Sequence, residues 1–254
     1  MEPVLKVNNL TRVFSRKGQP DFTAVNHIDF ELMPGECLAI IGESGSGKST
    51  TVNMITRLLD STEGSIVLDG TDITHLGGKE LRKVYSRMQM VFQTPTDSFD
   101  PRCTLGDGIG ESLRNSGMSR SETKAEVKKL LKQCGLPEEF ADRYPHQVSG
   151  GQCQRAAIAR ALAIKPRLLI CDEATSALDV TIQEEIIQLL NELRHSHGNE
   201  LSILFICHDI ALVQKFCDRV LVMYKGNIVE QGVPDEVIRN PRDEYTRRII
   251  DAIL

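Results

Sequence analysis

Residues 42–49 read GESGSGKS, and no other stretch limits what this chain can fold into so tightly. They fit G-x-x-x-x-G-K-[ST], a loop that cradles phosphate between a strand and a helix. The required flanks are present: an apolar run at 37–41 predicts the strand, and residues 50–59 predict the helix. Gly42, Gly45 and Gly47 let the backbone turn left-handed and approach phosphate closely. Backbone N–H groups then converge on the oxygens, reinforced by the positive end of the following helix. Lys48 supplies a point charge for the β and γ phosphates, and Ser49 a hydroxyl for Mg²⁺. The candidate nucleotide contacts are Gly42, Glu43, Ser44, Gly45, Ser46, Gly47, Lys48, Ser49 and Thr50. A plain glycine-rich turn is the alternative, and the strand and helix on either side argue against it.

At 254 residues and 41% apolar, the chain can bury one large α/β core or two small ones. A net charge of −5 argues against a nucleic-acid partner held by general electrostatics. The longest apolar runs span about five residues. A membrane-crossing helix needs ~20, so the chain is not expected to cross a bilayer alone. The N-terminus carries no basic-plus-apolar signal region. Seven cysteines, at 37, 103, 134, 153, 171, 207 and 217, include no C-x-x-C pair. That disfavours a zinc ribbon or disulfide framework and suits a reducing cytosol, with most thiols packing as small apolar groups.

In chain order, residues 4–10 and 25–32 predict strands joined by a polar loop, with Phe14 where the first strand gives way. Strands follow at 64–70 and 87–92, and a loop at 94–102. From 105 to 133 the pattern is helical and charged, with Ser119 and Glu122 as a capping box. Further helices are predicted at 152–164, 181–195, 234–239 and 244–253. Buried strands are predicted at 167–173 and 201–207, and a hairpin at 220–231. Alternating strands and helices imply a largely parallel sheet covered on both faces, with functional residues at the carboxyl ends of its strands. The helical block at about 95–158 interrupts the alternation as an inserted subdomain.

Two further segments carry chemistry. The apolar run 168–171 ends in Asp172 and Glu173. Asp172 would hold Mg²⁺ through water, and Glu173 could polarise an attacking water. An exposed turn is the plain alternative for two acids, and the upstream P-loop outweighs it. Ser149-Gly150-Gly151-Gln152 opens a helix, which makes either a second anion site or a simple N-cap.

The P-loop, Gln93, VSGGQ, LLICDE, the SALD of residues 176–179 and His208 occur in the order found in ATP-binding cassette ATPases, and the resemblance covers nearly the whole chain. It implies a P-loop NTPase (RecA-like) α/β core with an N-terminal antiparallel β subdomain, together spanning about 1–94 and 159–254, and the inserted helical subdomain. It implies ATP and Mg²⁺ as cofactors, hydrolysed by a head-to-tail pair of such domains. Ser149, Gly150, Gly151 and Gln152 would then act on the partner's nucleotide. Gln93 would sense Mg²⁺ and the attacking water, Asp179 would link the two sites, and His208 would contact the γ-phosphate. Phe14 aligns roughly with an adenine-stacking aromatic; a core Phe is its other reading.

Finer features resemble the oligopeptide/dipeptide/nickel import ATPases: VFQTPTDSFDPR at 91–102, YPHQVSGG at 144–151, ALDVTIQ at 177–183 and NPRDEYT at 240–246. The usual His-Pro of that last stretch is missing, and Ala174 replaces a common Pro. No cysteine follows Cys217, so no iron–sulfur cluster is expected. The resemblance implies an ATPase subunit on the cytoplasmic face of the cell membrane, peripheral through two transmembrane permease subunits. A second, identical or distinct, ATPase subunit and a solute-binding protein complete the assembly. Di- or oligopeptides are the expected cargo, with nickel or another small solute as the alternative. A soluble non-transport cassette protein would usually carry two cassettes or a long coiled-coil insertion, and a small-molecule kinase leaves SGGQ and SALD unexplained.

Overall fold

The computed structural model describes residues 2–15, 18, 20–175, 178–196 and 201–251. The elements follow in order as β1 (Leu5–Phe14), β2 (Phe22–Leu32), β3 (Cys37–Ile41), α1 (Lys48–Ile55), β4 (Glu63–Leu68), β5 (Thr71–Asp72), α2 (Gly78–Val84) and β6 (Met88–Val91). Then come α3 (Leu105–Asn115), α4 (Arg120–Gln133), α5 (Gly150–Leu162), β7 (Leu168–Asp172), α6 (Val180–Ser196), β8 (Ser202–Ile206) and α7 (Ile210–Phe216). The hairpin β9 (Arg219–Tyr224) and β10 (Asn227–Gly232) leads to α8 (Pro234–Arg239) and α9 (Glu244–Asp251).

Six strands form one sheet in the order β10-β9-β3-β8-β7-β6, and only the edge strand β10 runs antiparallel. β3, which leads into the P-loop, lies in the middle. Its five residues Cys-Leu-Ala-Ile-Ile are all buried, as a strand covered on both faces must be. Alternation along the strands divides the core. Cys37, Ala39, Cys171, Phe205 and Val222 face one layer, while Leu38, Ile40, Ile170, Leu204 and Met223 face the other. The first layer is closed by α5 to α9. The second is closed by α1 and by the expected antiparallel sheet, whose order is β2-β1-β4-β5. Phe205, fully buried, meets the Phe216 ring edge-on at 5.4 Å between centroids.

The segment between β6 and β7 is helical, and its apolar residues, among them Leu105, Ile109, Val127 and Leu131, join the first layer. The expected boundary near 158 falls inside α5, which runs unbroken from 150 to 162. The capping box at Ser119 and Glu122 is present, with Glu122 N–H donating to Ser119 Oγ at 3.3 Å. Six cysteines are buried and Cys103 is exposed. Burial pushes the Cys134 thiol up to about 12.

Candidate nucleotide site

The carboxyl ends of β3, β7 and β8 lie side by side and open on one cleft of about 200 Å³. On the β3 side the P-loop leads into α1, which begins at Lys48. Gly42 at φ 150° and Gly47 at φ 112° occupy backbone regions that exclude side chains. Space excludes them as well: a Cβ on Gly42 would lie 2.3 Å from the Met223 carbonyl oxygen, and one on Gly47 2.7 Å from that of Ala24. These contacts press the loop against β9 and β2, and Gly226 N–H donates to the Ser46 carbonyl at 2.8 Å.

Lys48 is 5% exposed. Its Nζ donates to the carbonyls of Gly42 at 2.6 Å and Glu43 at 3.0 Å, so the amine curls back under the loop. Burial lowers its pKa, and the facing carboxylates of Glu173 and Asp172 oppose that shift. Asp172, the last residue of β7, is partly buried. Burial, then the Glu173 charge, raises its carboxyl above the usual range against the pull of Lys48 and His208.

Glu173 leaves β7 at φ 49°, a left-handed turn that is unusual for a non-glycine residue. Its N–H donates to the Ile206 carbonyl at 3.0 Å, which fastens the turn to β8. The turn aims its carboxylate at His208, just past β8, and Glu173 Oε1 is hydrogen-bonded to His208 Nε2. Asp209 next to it caps α7, accepting from Ala211 N–H at 2.8 Å. Gln93 stands two residues beyond the Val91–Cys171 pair of β6 and β7, on an exposed stretch.

Of the expected residues, Ser44, Gly45, Gly47, Lys48, Ser49, Thr50, Glu173 and His208 line the cleft. Gly42, Glu43 and Ser46 form the back of the loop. The Glu43 N–H is already engaged, donating to the Tyr245 hydroxyl at 2.9 Å, and so is turned from the phosphate side. The cleft is not lined by Gln93, Asp172, Asp179 or residues 149–152. Ser149 caps α5 in a full capping box, accepting from Gln152 N–H at 3.3 Å, while Gln152 Oε1 accepts from Ser149 N–H at 2.9 Å. Ser149 and Gly150 are exposed. Gly151 is buried against α6, where a Cβ would meet Ile182 Cγ2 at 2.6 Å. Asp179 caps α6 by accepting from Ile182 N–H at 3.0 Å. Ser176 and Ala177 lie outside the described residues.

Phe14 does not line the cleft; its ring lies under the Arg12 guanidinium, 4.6 Å from the centroid. The aromatic in the cleft is Phe22, 61% exposed and directly opposite Phe14 in the β1–β2 ladder. The strand predicted at 25–32 begins three residues too late and places Phe22 in the loop. An aromatic three residues before a strand, across from another at the end of its neighbour, was the available signal. Tyr245 stands out in the sequence only as part of the NPRDEYT stretch.

The residues present suit Mg²⁺. Ser49 lines the cleft, and Asp172 ends β7 beside it within electrostatic reach of Lys48; a hydroxyl and a carboxylate are hard donors, and this ion is typically held by one or two carboxylates plus substrate phosphates.

The family model described as "ABC transporter" matches residues 25–176. The chain belongs to the ABC transporter family. As an ABC ATPase it is 46% identical over 232 residues to the oligopeptide transport ATP-binding protein OppF of Escherichia coli K12, covering 91% of this chain and 69% of that protein. It is also 46% identical over 259 residues to the glutathione import ATP-binding protein GsiA of the same strain, covering 99% of this chain and 41% of GsiA. The peptidoglycan transport ATP-binding protein YejF of Agrobacterium fabrum is 44% identical, with 99% and 47% covered. The chain thus spans less than half the length of the last two. Among solved structures, the ABC ATPase fold matches the dimeric, post-hydrolysis cassette MJ0796 bound to ADP and Pi, with TM-score 0.81, 32% identity and 91% and 98% covered. It also matches cbiO1 of Clostridium perfringens, with TM-score 0.83, 30% identity and 100% and 96% covered.

Proposed function

We propose that this ABC ATPase binds ATP with Mg²⁺ in the cleft and hydrolyses it to energise an importer of di- or oligopeptides. The observation that carries the reading is the Glu173–His208 pair, held at two strand ends and facing Lys48 and Ser49 across one cleft. Phosphoryl transfer needs positioning and charge stabilisation above all. Lys48 leaves its loop carbonyls for the β and γ phosphates. Ser49, Asp172 and Gln93 would hold the ion, which would offset phosphate charge. Glu173 orients and polarises the attacking water, and His208 fixes the Glu173 carboxylate and reaches the γ-phosphate. Phe22 offers the base an aromatic face at the mouth of the cleft, in place of the expected Phe14. Ser149, Gly150, Gly151, Gln152 and Asp179 serve the nucleotide of a second ATPase subunit.

The relatives named for oligopeptide and glutathione transport favour a peptide cargo. Among the described residues no helix is long and apolar enough to cross a membrane. By analogy with the relatives named for import, we place the subunit at the cytoplasmic face, working through two permease subunits, with a solute-binding protein supplying the cargo. The test is phosphate release by the chain with its co-purified permeases in vesicles loaded with ATP and Mg²⁺. Release is expected to rise with peptide and its binding protein outside. Lys48→Ala should lose ATP affinity, and Glu173→Gln should keep affinity but nearly stop release. Unchanged release from both variants would overturn the reading.

A further inference from the structure

The segment around Tyr245 has no part in the chemistry described so far. Tyr245 opens α9, is 4% exposed, and stacks on Tyr224 with centroids 3.9 Å apart and 25° between planes. Tyr224 ends β9, the strand beside β3, so the two rings stand against the base of the P-loop. The start of α9 is tied down separately. Glu230 of β10 accepts from the N–H groups of Arg242 at 2.9 Å and Asp243 at 3.1 Å, and Asp243 accepts from Tyr245 N–H at 2.8 Å. What this fixed ring presents to the loop is one oxygen, which accepts the Glu43 N–H at 2.9 Å.

We infer that Tyr245 is a positioning residue for the phosphate-binding loop, which rests on the reading of the cleft as the ATP site. The Glu43 peptide follows Gly42, which has no side chain to anchor it. Its other holds are the Lys48 bonds to the Gly42 and Glu43 carbonyls and a longer bond from Ser46 N–H to the Glu43 carbonyl at 3.2 Å, which lies within the loop itself. The Lys48 bonds weaken or shift as the ammonium is drawn toward phosphate, since its three donors are then shared with the ligand. The Tyr245 hydroxyl is held by α9 and β9 rather than by the ligand, so it keeps the peptide in place in both states. With that end fixed, the remaining loop N–H groups stay aimed at the oxygens.

The test compares Tyr245→Phe, which keeps the ring stack and loses only the hydroxyl, with Thr246→Val. Thr246 is 1% exposed on the same helix, and its hydroxyl is without a hydrogen-bond partner. Equilibrium binding of ATP and of inorganic tripolyphosphate is measured on the full chain, together with amide exchange of the 42–47 peptide. Tyr245→Phe is expected to weaken both ligands equally, by about fivefold, the effect of losing one hydrogen bond, and to speed exchange in the loop. Thr246→Val should match the wild type in all three. Wild-type affinity and exchange in Tyr245→Phe would overturn the inference, as would equal weakening in Thr246→Val. Failure of the wild-type chain to bind either ligand would instead remove the ATP site itself.

Discussion

Single residues in the cleft are set where their charge is costly. Asp172 is an example: burial and the neighbouring Glu173 raise its pKa above the unfolded value. A carboxyl shifted that way adds stability while protonated and loses it as pH rises through its folded value. At neutral pH the ionised group therefore weighs against the nucleotide-free fold. Asp172→Asn is expected to raise the Tm of the nucleotide-free chain at pH 7 by roughly 2–4 °C, the shift that about 1 kcal/mol gives a chain of this size. The gain should shrink as pH falls toward the carboxylate range, while Mg²⁺-dependent phosphate release is lost. Thermal melts across pH and a phosphate assay check both, and a lower Tm at pH 7 would contradict the electrostatics. The positions of Lys48, Glu173 and His208 at the cleft were legible because each follows a strand end in a fixed order. Phe22 and Tyr245 were not, because what selects them is a cross-strand partner and a contact spanning 202 positions, neither visible in local spacing.

Elements were legible where their pattern was unbroken. The residues of β3 and α8 were read to their ends, and the capping box of α4 was read from Ser119 and Glu122. α1 ends at Ile55, not 59, because Arg57 turns left-handed at φ 59°. α7 is seven residues long and was missed, although Asp209 marks its start. α2 was missed too; it opens on Gly77-Gly78, which reads as a turn. Packing between elements lies further from the sequence. Gly151 looks like an anion-site glycine, yet its buried face lets α5 approach α6. Gly151→Ala would force the Ile182 side chain aside and is expected to lower stability by about 1–3 kcal/mol, the usual range for overpacking. Adding Ile182→Ala, which deletes the obstructing Cγ2, should recover part of that loss. Urea unfolding of the single and double variants measures the coupling, and strict additivity would mean the two side chains do not meet.

For the whole molecule, the position of residues 149–152 points beyond a single chain. The N-terminus of α5 is capped, exposed and glycine-bearing, but it does not line the cleft of its own chain. Its free N–H groups and helix dipole suit an anion brought by a neighbour, and the related cassette MJ0796 is dimeric in its post-hydrolysis state. If a second subunit completes the site, damage to this end should leave ATP binding to the same chain intact and stop hydrolysis. Ser149→Arg costs the cap about 1 kcal/mol, which a folded chain of this size can absorb, and places a bulky cation where the partner's phosphate would approach. Its ATP affinity is expected to stay at the wild-type value while phosphate release falls at least tenfold. Mixing decides whether the defect lies across the interface. A Lys48→Ala chain contributes an intact SGGQ but no phosphate loop, and a Ser149→Arg chain contributes the reverse. Where like chains pair, each mixed dimer holds one complete site, and the mixture should regain part of the wild-type activity, although each variant alone is inactive. A mixture as inactive as its parts, with ATP affinity lost in Ser149→Arg, would place these residues on the nucleotide of their own chain.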